Sequence, residues 1–325
     1  MPEERLPWHQ ALWQGIQQRR SANRLPHALL LAGPVGLGKG RFARRLARAL
    51  LCAHPEPDAE ACGQCSRCRL FEAGSHPDYR LVQPEEDGKA IKVDQIRALS
   101  AFLGYTAQYG GYKIALVEPA DRLNSQAANS LLKTLEEPPG LGLLLLVTAW
   151  PARLPATVRS RCQKMSFTPP TAAVALPWLS ARSSGDFDPA ALLAMSSGAP
   201  LAALSQADGQ RWQRRRALFT AYERVLSGQA DPIRMAEEWA RGDLLESLHW
   251  LIDWHTDLVR LKMSSNPPRL NSPDLHSALC RWAERATPQA LFSRLDAVVR
   301  LHRLCTTTQV NAPLLLEAFL SEATP

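Results

Sequence analysis

The chain has 325 residues, 46% hydrophobic and 21% charged, with a formal net charge of +7; that exceeds one ordinary domain, and two or three cores are expected. No apolar run approaches the roughly 20 residues of a membrane-spanning helix, and Met1–Gln10 is polar with no signal-peptide apolar region, which excludes a membrane protein and points to the cytoplasm. Lys and Arg are spread along the whole chain, so nucleic acid is a partner the charge permits and does not specify.

Trp8 and Trp13 flank an amino-terminal helix candidate. His27–Ala32 is a short apolar run, followed by Gly33, Gly36 and Gly38 and then by Arg41–Cys52 with apolar residues at helical spacing. Strand, loop and helix in that order frame the segment Gly33-Pro-Val-Gly-Leu-Gly38-Lys39-Gly40, which satisfies the first seven positions of a phosphate-binding loop. Small residues let backbone N–H groups close around phosphate oxygens, the helix terminus adds its dipole, and Lys39 adds a point charge. The next position calls for a Ser or Thr hydroxyl to hold Mg²⁺, and Gly40 has none.

Cys52, Cys62, Cys65 and Cys68 fall within 17 residues. In a reducing compartment that spacing suggests a metal rather than disulfides. Four thiolates fill a closed tetrahedral site, so a structural Zn²⁺ is expected in a compact insertion at 52–68, with His54 and His76 as nearby substitutes should Cys52 point elsewhere. A nucleic-acid-binding zinc knuckle would use Arg67 and Arg69, but no aromatic platform accompanies them.

Tyr79–Gln83, Lys113–Val117 and Leu143–Thr148 are further strand candidates, with helices at Val93–Leu103 and Ser125–Glu137 between them. That alternation predicts an α/β module, a parallel sheet wrapped by helices. Lys113-Ile-Ala-Leu-Val117 runs into Glu118-Pro119-Ala120-Asp121, where a hydrolytic site needs acidic residues to organise metal and water. Proline cannot act as a base; Glu118 stands at the usual Asp position, with Asp121 within reach of the site. Of the following apolar stretch, Leu131, Leu132 and Leu135 read as core, and Glu136 and Glu137 as solvated or interfacial.

Thr168-Pro169-Pro170 breaks the pattern, and the remainder reads as helical without a strand. A second break at Asp208-Gly209 leaves a small helical unit between the two. Beyond it, Leu244, Leu245, Leu248, Leu251 and Leu258, then Leu291, Leu295, Val298 and Leu301, recur at three- and four-residue intervals on either side of a loop at Ser264–Pro273. Trp250 and Trp254, four apart, read as packing residues, and Cys162, Cys280 and Cys305 as small buried hydrophobes.

The phosphate loop, the cysteine cluster followed by His76-Pro77-Asp78-Tyr79, Ile91-Lys-Val-Asp-Gln-Ile-Arg97, Leu131-Leu-Lys-Thr-Leu-Glu-Glu-Pro-Pro139 and Ser160-Arg161-Cys162 together resemble bacterial DNA polymerase III clamp-loader subunits of the gamma/tau and delta-prime type, within the AAA+ group. The resemblance covers nearly all of residues 1–168 and is fainter beyond. It implies an AAA+ P-loop module with a zinc insertion at 1–168, a helical lid at 169–207 and an all-helical collar at 208–325. Gamma/tau members keep an intact phosphate loop and an Asp-Glu pair; this chain departs at Gly40, Glu118 and Pro119. Leu201, in Ser197-Gly198-Ala199-Pro200-Leu201, stands where an active member carries a lid arginine. Those departures are of the delta-prime kind, and imply a subunit without ATP hydrolysis of its own.

The Ser-Arg-Cys motif is how this family presents an arginine finger, so the resemblance implies that Arg161 acts in trans on a neighbouring gamma/tau ATP site; from spacing alone, Arg159 and Arg161 read as solvated loop charges. It also implies gamma/tau and delta subunits as partners in a hetero-pentamer that loads the sliding clamp onto primed DNA. Gly33, Gly36, Gly38 and Lys39 are left as a degenerate phosphate loop with nucleotide open. The competing readings are an active gamma/tau-type ATPase and a zinc-dependent nucleic-acid-binding protein.

Overall fold

A computed structural model describes residues 5–86, 88–183, 188–264, 267, 269–307 and 310–322. The chain divides into two compact units, Met1–Pro170 and Thr171–Pro325. In the first, helix α1 (Gln10–Ser21) precedes β1 (Ala28–Ala32), α2 (Lys39–Leu51), α3 (Ser66–Glu72), β2 (Tyr79–Val82), α4 (Val93–Gly104), β3 (Lys113–Val117), α5 (Ser125–Glu136), β4 (Gly142–Thr148), α6 (Ala156–Arg159) and β5 (Gln163–Ser166). The strands form one parallel sheet in the order β2-β3-β4-β1-β5.

The three inner strands are apolar runs because helices cover both faces of the sheet: β1 and β3 are buried throughout, and β4 from its second residue. The outer strands carry polar residues, since one side of each lies at the rim. Strand β5, Gln-Lys-Met-Ser, buries only Met165, and for that reason the periodicity of the sequence, which gives no strand after Thr148, does not reveal it. Short α3 within the cysteine insertion is likewise unforeseen; its N-cap is the Cys65 sulfur, which accepts from the Cys68 amide.

The second unit is helical, as expected: α7 (Ala172–Ser180), α8 (Pro189–Met195), α9 (Pro200–Gln206), α10 (Gly209–Leu226), α11 (Pro232–Arg241), α12 (Leu244–Met263), α13 (His276–Arg285), α14 (Pro288–Thr307) and α15 (Ala312–Ser321). Helices α7, α8 and α9 pack on one another, separated from the rest by the break at Asp208, which caps α10. Asp188-Pro189 and Asp231-Pro232 start α8 and α11, each Asp accepting an amide of the first turn while the proline occupies a position needing no N–H. Trp250 and Trp254 are buried in the main helical core, as expected, with Phe219, Tyr222 and Trp239. Of the loop at Ser264–Pro273, residues 265, 266 and 268 lie outside the described residues, as do residues 1–4 of the amino terminus. Cys162, Cys280 and Cys305 are half-buried rather than buried. Cys162 and Cys305 pack at the margins of the two cores, while the Cys280 sulfur lies 3.6 Å from His276 Nε2.

Asp78, from the His-Pro-Asp-Tyr segment, ties the base of the sheet together. Its buried carboxylate accepts from the amides of Gln108 at 2.8 Å and Tyr109 at 3.1 Å and from Lys113 Nζ at 3.1 Å. Burial alone would raise its pKa, but the Gln108 amide, the Lys113 ammonium and the Tyr109 amide hold it below the usual carboxylate range. A depressed carboxylate stabilises the fold above its unfolded pKa of about 3.9 and loses that contribution as pH falls through the lowered folded value. Asp78→Ala leaves Lys113, only 6% exposed, without its partner, and is expected to cost about 3–5 kcal/mol. Urea titrations at neutral pH and below pH 4 check this: the difference from wild type should shrink at the acid end.

Candidate functional site

The carboxyl ends of β1, β3 and β4 bring three loops together, the position where open parallel sheets present their ligands. Residues 33–38 follow β1, and Gly38 adopts a left-handed conformation (φ 80°) as it caps α2, a turn that a side chain would strain. Lys39, 7% exposed, donates from Nζ to the Pro34 carbonyl at 2.6 Å. Burial lowers its pKa, opposed by the carboxylates of Glu118 and Asp121. Gly33, Gly36, Gly38 and Lys39 thus lie in one loop, but the lysine is turned onto the loop's own backbone.

Gly40 sits directly against Glu118. A Cβ added at Gly40 would overlap the Glu118 carboxylate, with Cδ 2.5 Å away. The carboxylate of β3's end therefore fills the space where a phosphate loop carries a hydroxyl, and it faces Arg44 of α2 at 3.7 Å.

Three residues here escape sequence reading. Thr148, buried at the end of β4, donates to Asp121 Oδ1 at 2.6 Å, and the same oxygen accepts the Ala149 amide at 3.2 Å. A Thr closing an otherwise apolar strand was the available signal. Trp8 Nε1 and His9 Nε2 both bond the Leu37 carbonyl of the loop, at 3.0 and 2.8 Å. Burial, aided by Arg45 and Arg41, lowers the His9 pKa to about 4, so the ring is neutral and its Nε2 carries the proton that the carbonyl accepts. Nothing in the local sequence links residue 9 to residue 37.

Arg161 follows α6. Its Nη2 pairs with Glu136 Oε1 at 2.7 Å and its Nη1 donates to the Thr157 carbonyl at 2.9 Å. Leu131 and Leu135 are core, and Leu132 packs beside them. Leu201 lies in α9, after a turn in which Ser197 and Gly198 both have positive φ.

The four cysteines converge. All four sulfurs lie within 4.8 Å of one another, and Cys52 Sγ is 3.5 Å from Cys62 Sγ and 3.9 Å from Cys65 Sγ. Four sulfurs at about 2.3 Å around a tetrahedral ion are roughly 3.8 Å apart, so the cluster fits and can hold a metal ion. The amides of Cys62 and Cys68 donate to Cys52 Sγ and Cys65 Sγ at 3.4 Å each, favouring thiolate. His76 is not drawn in; its Nδ1 accepts the Asp78 amide. The insertion is anchored on α2 through Arg45–Glu60 and Arg48–Glu72 ion pairs. Arg67 and Arg69 are both engaged within the chain, Arg67 over the Tyr109 ring at 4.8 Å and Arg69 with the Gln64 carbonyl at 3.1 Å.

Comparison with known proteins gives consistent matches. Residues 8–171 match the family model described as DNA polymerase III, delta subunit, and residues 209–324 the one described as DNA polymerase III, delta subunit, C terminal. DNA polymerase III subunit delta' of Pseudomonas aeruginosa is 38% identical over 320 residues, 97% of this chain and 95% of that protein. The Escherichia coli subunit delta' is 34% identical, over 97% of this chain and 93% of that one. DNA polymerase III subunit tau of Salmonella typhimurium is 38% identical over 142 residues, 44% of this chain and 22% of its own length.

Gly40→Ser is expected to push the flexible Glu118 carboxylate aside and cost about 0.5–1.5 kcal/mol. Adding Glu118→Ala should return most of it. Thermal melts of the two variants beside wild type measure both effects; equal melting temperatures for wild type and Gly40→Ser would show that the space is free.

Proposed function

The chain belongs to the family of DNA polymerase III delta-prime subunits, and from that membership we propose that it serves in the clamp loader without hydrolysing ATP itself, lending Arg161 to a neighbouring gamma/tau site. The observation that carries the first half is the Glu118 carboxylate against Gly40. Gly40 offers no hydroxyl to hold Mg²⁺, and the Glu118 carboxylate occupies the space a side chain there would enter. Lys39 is already satisfied by Pro34 O, and Thr148 and Asp121 by each other. Lys39 and Asp121 thus already have bonding partners within this chain.

For Arg161, the support is its exposed location beside α6 in a Ser-Arg-Cys segment. A permanently charged, planar guanidinium stabilises charge spread over transferring phosphoryl oxygens, and fingers of this kind contribute about 10³-fold or more elsewhere. The partners of this reading are gamma/tau and delta subunits in a hetero-pentamer, with the sliding clamp and primed DNA engaged by the assembled complex in the cytoplasm. Among the described residues no helix is long and apolar enough to cross a membrane. We also propose three functional parts, 1–168, 169–207 as lid and 208–325 as collar; the gap between the two family-model matches, 171 to 209, supports that division.

The cysteine cluster is proposed as a structural Zn²⁺ site. Cys52, Cys62, Cys65 and Cys68 would hold the ion and leave no position for a substrate, so what it supplies is cross-linking of an insertion too small for its own core.

The test of the main reading is ATP turnover by a loader reconstituted with clamp and primed DNA. Arg161→Ala should lower turnover by about 10-fold or more with assembly unchanged, while the isolated chain releases no phosphate in either form. Phosphate release by the isolated wild-type chain would instead favour a gamma/tau-type ATPase. For the metal, elemental analysis should give about one zinc per chain, and Cys68→Ser should lose the zinc together with melting temperature; retained zinc in that variant would remove Cys68 from the ligand set.

A further inference from the structure

Arg161 is already engaged by its own chain. The Glu136 carboxylate holds one arm of the guanidinium at 2.7 Å and the Thr157 carbonyl the other at 2.9 Å. Glu136 ends α5 and Thr157 lies in α6, two helices that pack together through Leu131, Leu135 and Val158, all buried. The separation between the Glu136 backbone and α6 is therefore set by a packed core rather than by two independent loops. Glu137, the adjacent acid, makes no ion pair with Arg161 among the described contacts, so the pairing is specific to one of two neighbouring carboxylates.

Both bonds loosen when the guanidinium swings outward, but only the Glu136 bond also opposes its charge. A guanidinium stabilises phosphoryl charge as a net cation, and a carboxylate in contact with it cancels most of that field beyond a few ångströms. The two side chains are 36% and 51% exposed, so the pair is reachable from outside and weak. An exposed pair of this kind shifts an equilibrium by at most about five-fold, which a polyphosphate with several oxygens outcompetes. A buried pair would not yield, and an absent one would leave the cation free at all times.

Resting on the reading of Arg161 as a finger for a neighbour, we propose that Glu136 is a positioning residue that holds the Arg161 guanidinium against its own α5 and releases it when a neighbour's nucleotide phosphates come within reach. The loader's turnover before clamp and DNA are bound is thereby kept low by a contact inside this subunit. Glu136 touches no reacting atom and acts only through Arg161.

The experiment is a set of four variants in the reconstituted loader: Glu136→Gln, Glu137→Gln, Arg161→Ala and the Glu136→Gln/Arg161→Ala double. Assembly is checked by gel filtration, and ATP turnover is read with and without clamp and primed DNA. Glu136→Gln should raise turnover without clamp and DNA by about two- to five-fold, with the gain shrinking as salt rises. Glu137→Gln, equal in charge change, should leave turnover as in wild type, and the double variant should be as slow as Arg161→Ala. No rise or a fall in Glu136→Gln, an equal rise in Glu137→Gln, or a rise that persists without Arg161 overturns the proposal while leaving the finger intact. An unchanged rate in Arg161→Ala alone removes the finger reading, and this proposal with it.

Discussion

Parallel pairing of β1, β4 and β3 sets the geometry on which the amino-terminal unit depends. Each of these strands is buried on both faces, so a shift in register would carry hydrogen-bonding groups out of the ladder without exchanging an apolar face for a polar one. The backbone pairing, Ala32 opposite Thr148 and Val117 opposite Leu146, therefore decides where the following loops start. Glu118, Asp121, Thr148 and the glycine loop meet because their strands end side by side. The rim strands β2 and β5 contribute less apolar surface and tolerate polar residues for that reason.

Within this frame the side chains around the phosphate loop are engaged by the protein itself. Lys39 bonds a carbonyl of its own loop, Glu118 lies between Gly40 and Arg44, and Asp121 accepts from Thr148 and the next amide. The amino-terminal segment adds a second restraint, since Trp8 and His9 both bond Leu37 O while His9 stands edge-on to Phe42 and Phe167. The loop is thus tied to the amino-terminal segment as well as to its own strand.

The cysteine insertion and the helical unit solve the problem of stability in different ways. The insertion has few apolar residues and leans on α2 through Arg45 and Arg48 and on convergence of four sulfurs. The helical unit has a dense aromatic core in which Phe219 stacks on Trp282 at 5.0 Å, and the buried Tyr222 hydroxyl is satisfied by Arg294 and His255 at 3.0 and 2.9 Å. Asp257 holds the loop before α13 by accepting the amides of Asn271 and Ser272. The buried Asp257 carboxylate and Tyr222 hydroxyl are paired, which keeps the cost of desolvating them from falling on the fold, whereas Trp254 Nε1 and His255 Nδ1 are buried without a hydrogen-bond partner.

Sequence alone determined the inner strands, the phosphate-loop helix, the helical character beyond residue 170 and the cysteine grouping. These are local signals: an apolar run, a 3.6-residue period, or a spacing of two between cysteines. It also exposed the missing hydroxyl at Gly40 and the proline at 119. What it left undecided are pairings between distant residues. That Glu118 fills the space at Gly40, that Thr148 holds Asp121, that His9 closes on Leu37 and that Glu136 rather than Glu137 engages Arg161 depend on strand order and helix packing. Strand β5 belongs with them, because four mostly polar residues become a strand only when β1 offers an open edge. Such contacts join residues tens of positions apart, so only the tertiary structure, which sets their separation in space, could decide them.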